Sequence, residues 1–85
     1  HFYTPAVTVG AVAATKAVKG KYNVTITIGG PAGASAAVTV TGLAKVTKKI
    51  GDTNSVSYSV PVTKGVKTVT VVVGGKTYKT TVKVG

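Results

Sequence analysis

The sequence predicts an all-β fold, an immunoglobulin-like sandwich of about seven strands. Three observations lead there. Valine, isoleucine and threonine supply 36 of the 85 residues, and β-branched side chains suit a pleated surface better than a helix. Eleven glycines punctuate the chain. Between them run short segments in which apolar and polar residues alternate, the pattern of half-buried strands in a sandwich or barrel.

The elements follow in order. Residues 5–18 (PAVTVGAVAATKAV) alternate loosely, and Gly10 marks an expected bulge or a switch between sheets. Residues 21–28 (KYNVTITI) alternate cleanly, with Tyr22, Val24, Ile26 and Ile28 inward and Asn23, Thr25 and Thr27 outward. Gly29-Gly30-Pro31 ends that run. Residues 36–41 place Val38 and Val40 inward. Residues 44–50 form a weaker strand, with Val46 and Ile50 inward and Lys45, Thr47 and Lys49 outward.

Gly51-Asp52-Thr53-Asn54 has the composition of a turn. Residues 55–62 (SVSYSVPV) put Val56, Tyr58, Val60 and Val62 on one face. Pro61 falls on the other face and predicts an edge strand or a strand end. Lys64-Gly65 is a turn. Residues 66–73 place Val69, Val71 and Val73 inward. Gly74-Gly75 is a two-residue hairpin signal, because the favoured hairpin turns require positive φ. Residues 76–84 return with Tyr78, Thr80, Val82 and Val84 inward.

This count and spacing match an immunoglobulin-like sandwich, without the cysteines and tryptophan of antibody cores. One domain is expected over residues 1–85. Valine, supported by tyrosine, must fill its core, since a chain of this size buries only about 60–65% of its unfolded surface.

Composition also narrows function. All eleven basic residues are lysine, Asp52 is the only acid, and the formal net charge is +10. His1 is the only histidine, and cysteine is absent. General acid–base catalysis needs positioned titratable groups, and a protein-built metal site needs clustered ligands. The expectation is a non-enzyme with no cofactor and no metal. The serines, Ser35, Ser55, Ser57 and Ser59, have no base other than His1. A copper site at His1 would need a second histidine. Asp52 alone cannot cage calcium, so a turn role is expected for it. No run approaches the ~18 apolar residues of a membrane helix, and no signal-peptide pattern is visible.

The lysines are the candidate binding residues. Lys67, Lys79 and Lys83 are expected at outward positions of the last hairpin, with Lys45 and Lys49 outward on the weaker middle strand. On one sheet they would make a cationic face interleaved with threonine. Such a face attracts an anionic glycopolymer, a cell envelope or a virion surface. Each lysine also has a plainer reading, as a guard against edge-to-edge aggregation. Nucleic acid is a weaker candidate. Its readout favours arginine and exposed aromatics, and arginine is absent while Tyr22, Tyr58 and Tyr78 read as inward.

The N-terminal stretch carries the alternative. Its first fifteen residues hold no charged side chain other than His1. Phe2, Tyr3, Val7, Val9 and Val12 could belong to an arm over residues 1–14 that adds a strand to a neighbouring copy, joining an extracellular filament. The competing expectation is that this stretch is the first strand of its own sandwich. Asn23-Val24-Thr25 fits the glycosylation pattern, with Asn23 outward.

The segment from Gly42 to Val84, above all VTKGVKTVTVVVGGKTYKTTVKV, resembles the repeat-type Ig-like modules of bacterial surface proteins and phage structural proteins. Gly65, Val69, Val71, Val73, Gly74, Gly75 and Tyr78 carry that resemblance. It implies an Ig-like fold and a non-catalytic role as spacer, stalk, adhesion module or virion decoration, outside the cell. It supplies no catalytic residues.

Overall fold

A computed structural model describes residues 5–85. Seven strands follow one another without a helix: β1 (Thr8–Ala13), β2 (Tyr22–Gly29), β3 (Ser35–Val40), β4 (Val46–Lys49), β5 (Ser55–Val62), β6 (Gly65–Val73) and β7 (Lys76–Val84). They form two sheets, ordered β1-β2-β5 and β4-β3-β6-β7, with every pair antiparallel. In constant-type immunoglobulin domains the fourth strand lies beside the fifth. Here β4 lies beside β3, on the other sheet.

Alternation places the core. Val24, Ile26 and Ile28 of β2 face Ala36, Val38 and Val40 of β3 and Val69, Val71 and Val73 of β6 between the sheets, all buried, with Ile50, Val62 and Val84 closing the cluster. Tyr22, Tyr58 and Tyr78 pack against it partly buried, as the sequence predicts. No polar or charged residue is buried among the described residues. This apolar interior is what fixes register, since a slip by one residue would turn each strand inside out.

Turn chemistry fits the predicted breaks. Gly74 and Gly75 both take positive φ, 59° and 78°, and Val73 pairs with Lys76 across them. Asn54 also takes positive φ, at 64°. Its side-chain amide donates to the Gly30 carbonyl at 3.2 Å, and the Gly30 amide donates to the Asn54 carbonyl at 3.0 Å. These bonds tie the β2–β3 and β4–β5 connections together.

Pro61 sits where its missing N–H costs nothing. The Ala14 amide donates to the Asn23 carbonyl at 2.8 Å, so Asn23, Thr25 and Thr27 turn their backbone toward β1. Their neighbours Val24, Ile26 and Ile28 turn toward β5 and meet Val60, Tyr58 and Val56. Pro61 therefore presents its ring nitrogen to the open edge of β5.

Three expectations need correction. The first segment is shorter than residues 5–18. After β1 the chain runs to a separate small hairpin, where Val18 and Lys21 exchange backbone hydrogen bonds of 2.7 and 3.0 Å around Lys19-Gly20. Gly10 is not a bulge, because pairing from Thr8↔Gly29 to Ala13↔Val24 is unbroken. Val46 has the inward parity but lies on the sheet edge and is 37% exposed.

The sandwich has two distinct ends. At one, Tyr22↔Val62 and Gly65↔Val84 finish the two sheets, and residues 63–64 link them. The Lys19-Gly20 hairpin projects beyond this end. The opposite end carries residues 30–34, the Asp52 turn and Gly74-Gly75.

Candidate anion-binding surface

The outer face of the four-stranded sheet follows from register. On β7 the outward positions are Thr77, Lys79, Thr81 and Lys83, all exposed; Lys76, exposed too, opens the strand opposite Val73 with the other parity. Opposite them on β6 stand Val72, Thr70, Thr68 and Val66. Thr39 continues from Thr70 onto β3, and Ala37 lies between Val72 of β6 and Thr47 of β4. Lys49 pairs with Ser35 at the far edge. Lys45 immediately precedes β4, is exposed, and has the same parity as Lys49.

The sheet thus brings Lys49, Lys79 and Lys83 to one face, with threonine between them. β4 and β7 are its two edges, separated by three strand spacings, about 14 Å. Lys79 and Lys83 are four residues apart, about 13 Å. Two unit charges at that distance in water repel by only about 0.3 kcal/mol, and physiological salt screens most of it. The fold therefore carries this charge at little cost, and the ammonium groups stay available to a ligand.

Lys67 is a correction. Its register partner is Val82 and its same-face neighbour on β6 is Val69, so it holds the inward parity. Two and four residues further along β6, at the buried Val69 and Val71, the same face has no room for charge. Lys67 escapes because it lies near the end of the sandwich, where its stem can snorkel out. Its ammonium donates to Thr63 Oγ1 at 3.0 Å. It belongs to the end of the molecule, not to the threonine face.

Lys48 has the inward parity too, opposite Ala36. It is half-buried, and its Nζ lies 4.8 Å from the centre of the Tyr58 ring. The contact bridges the open side of the sandwich between β4 and β5. Burial raises the Tyr58 phenol above its ordinary value of 10.0.

The N-terminal candidates divide. Phe2 and Tyr3 lie outside the described residues. Val7 and Val9 pack against the core. Val12 points outward and is 72% exposed. β1 pairs with β2 of its own chain over six residues, as expected for a first strand.

As binding residues, Lys16, Lys19, Lys21, Lys48, Lys64 and Lys76 were passed over in the sequence. The signal for Lys19 and Lys21 was present in Val18-Lys19-Gly20-Lys21, a glycine turn between matching neighbours. It lacked the Asn-Gly or Asp-Gly pair that marks such turns.

The opposite outer face is different in kind. It presents Thr8, Gly10 and Val12 of β1, Asn23, Thr25 and Thr27 of β2, and Ser57, Ser59 and Pro61 of β5, with no lysine among them. Thr25 and Ser59 share a hydroxyl hydrogen bond of 3.0 Å, and Thr27 and Ser57 one of 2.8 Å. Asn23 is exposed there, as predicted.

Among the described residues no three His, Cys, Asp or Glu side chains gather, no cavity opens, and no helix is long and apolar enough to cross a membrane. Fold and surface together define a small all-β sandwich with lysine on the outer face and edges of one sheet and in the connections, and none on the outer face of the other. No family model, curated protein or solved structure matches the chain.

Proposed function

We propose that the chain is a non-catalytic structural or adhesion module of a cell-surface, secreted or virion protein, in the manner of the Ig-like modules it resembles, and that its lysines contact an anionic envelope polymer or surface. One observation carries the reading: Lys49, Lys79 and Lys83 share the outer face of one sheet, with exposed threonines between them. Lysine acts as a point charge, whereas bidentate recognition of carboxylate or phosphate is the property of arginine. The contact therefore selects charge density and not stereochemistry.

The experiment is calorimetric titration with polygalacturonate across a salt series. Affinity should fall steeply as salt rises, as counterion release requires. Absence of binding at low ionic strength would reduce the lysines to a solubility device.

Strand donation from the N-terminal stretch is the less favoured alternative. It would have to strip β1 from β2 and give up six residue pairs.

A further inference from the structure

We propose that the principal anion-binding site is the Lys19 end of the sandwich, and that it takes a flexible linear polyanion which wraps this end from one sheet to the other. This rests on the charge-based reading given above and moves its main site from the threonine face, which becomes accessory, to the end that shares Lys83 with it.

Register collects six lysines there. Lys16, Lys19 and Lys21 lie in the connection between β1 and β2, the last two within the projecting hairpin. Lys64 lies in the two-residue link between β5 and β6. Lys67 and Lys83 stand within two residues of the Gly65↔Val84 pair that ends the second sheet. Asp52, the only acidic residue of the sequence, lies in the turn at the opposite end.

Two of these lysines occupy positions where local physics favours something else. Lys19 takes φ 52°. This left-handed conformation disfavours residues with a Cβ, and hairpin turns of this kind favour Asn, Asp or Gly. The comparable turn at the opposite end uses Gly74-Gly75, and the other non-glycine residue with positive φ among those described is an asparagine, Asn54. Lys67 holds an inward position on a strand whose next three inward positions are Val69, Val71 and Val73. At both places the chain keeps a cation against the local preference, and both lie at the same end. Strain retained at a surface position points to a function for the residue that bears it.

The arrangement favours a chain over a plane. The six lysines are distributed over the β1–β2 connection with its hairpin, the link between the sheets, the start of β6 and the outer face of β7. A flat bilayer pressed on this end would meet the hairpin and miss Lys83. The exposed valines that could enter a bilayer are likewise divided. Val18 is at the tip, Val12 on one outer face and Val66 on the other, 66, 72 and 67% exposed. A flexible polymer can follow the charges around the end.

The test compares two triple variants, Lys16→Gln/Lys19→Gly/Lys21→Gln at the end and Lys45→Gln/Lys49→Gln/Lys79→Gln on the face. Each lowers the net charge from +10 to +7. The probe is long-chain inorganic polyphosphate, titrated across a salt series. The end variant should bind at least about ten-fold more weakly and lose about two to three from the slope of log K against log salt. The face variant should lose less than about three-fold. Lys19→Gly relaxes the turn, so the end variant should remain folded by circular dichroism. The double variant Lys64→Gln/Lys83→Gln, outside the hairpin, should also bind more weakly than the face variant.

Equal losses, or a greater loss on the face, would overturn the end site while leaving the charge reading intact. No binding by the unaltered protein, or no loss in any variant, would overturn both. Binding to phosphatidylglycerol vesicles but not to polyphosphate would overturn the inference and make a membrane the partner.

Discussion

Replacing Ile26 by alanine tests the arrangement on which every surface assignment depends. Ile26 lies on the middle strand of its sheet, between Ala11 of β1 and Tyr58 of β5, and is fully buried. The substitution removes three carbons. At about 0.8 kcal/mol per buried methylene, transfer alone costs about 2.4 kcal/mol. A cavity term adds to this, because Ala11 is too small to collapse into the gap. The total should be about 3–5 kcal/mol, within the range for such truncations. A domain of this length has about 4–13 kcal/mol of stability, so the variant loses a large share of it. Urea unfolding followed by circular dichroism measures the change directly. The control is Val12→Ala, whose exposed side chain should matter by no more than about 0.5 kcal/mol. A loss below about 1 kcal/mol for Ile26→Ala would refute the core. Comparable losses in both variants would refute the β1 register, since a slip of one residue exchanges the inward and outward sets.

Lys19→Gly should raise stability by about 1 kcal/mol by relieving the left-handed lysine; an unchanged or lower urea midpoint would contradict the strain. Lys48→Ala should cost about 0.5–1 kcal/mol through loss of its contact with the Tyr58 ring, and Lys48→Ala in a Tyr58→Leu background should then cost less, a comparison made as a double-mutant cycle. The Tyr58 phenol has its proton affinity raised by burial. Its contribution to stability is therefore intact below the ordinary phenol value and is lost as pH rises beyond it. Unfolding midpoints of the protein and of Tyr58→Phe should run together at about pH 8 and diverge above about pH 10, with the tyrosine form falling faster; parallel curves across that range would show that the ring is not desolvated.

Most of the fold was legible because this chain uses few devices. Seven strands, the Gly74-Gly75 hairpin, the edge position of Pro61 and the inward residues of the second, fifth and seventh strands all follow from period-two alternation and turn residues. The site was less legible because alternation gives the side of a strand, not its neighbour in the sheet. Lys49 and Lys83 are 34 positions apart in sequence, and only the β4-β3-β6-β7 order puts them on one face. Lys67 was misplaced although parity with Val69 and Val71 already set it inward. A lysine was expected outside because charge belongs in water. The strand satisfied both demands by placing it at the sandwich end. The Lys19 hairpin was hidden for a related reason, since lysine is not the residue its backbone favours.

Aggregation control accounts for some lysines and not for others, and the division follows the structure. A sheet edge with unpaired backbone groups invites another strand, and lysine is a common guard. β4 and β7 are edge strands, so Lys48, Lys49, Lys79 and Lys83 can serve there whatever else they do. On β5, Pro61 serves the same purpose by lacking an N–H. Lys16, Lys19 and Lys64 lie in connections between strands, where there is no sheet edge to guard. Solubility does not explain their placement either, because it calls for net charge of either sign and would be met as well by glutamate, which the sequence lacks. The lysines left over from edge protection are concentrated at the Lys19 end. That residue of unexplained charge, and not the total of +10, is the reason to look for the partner there.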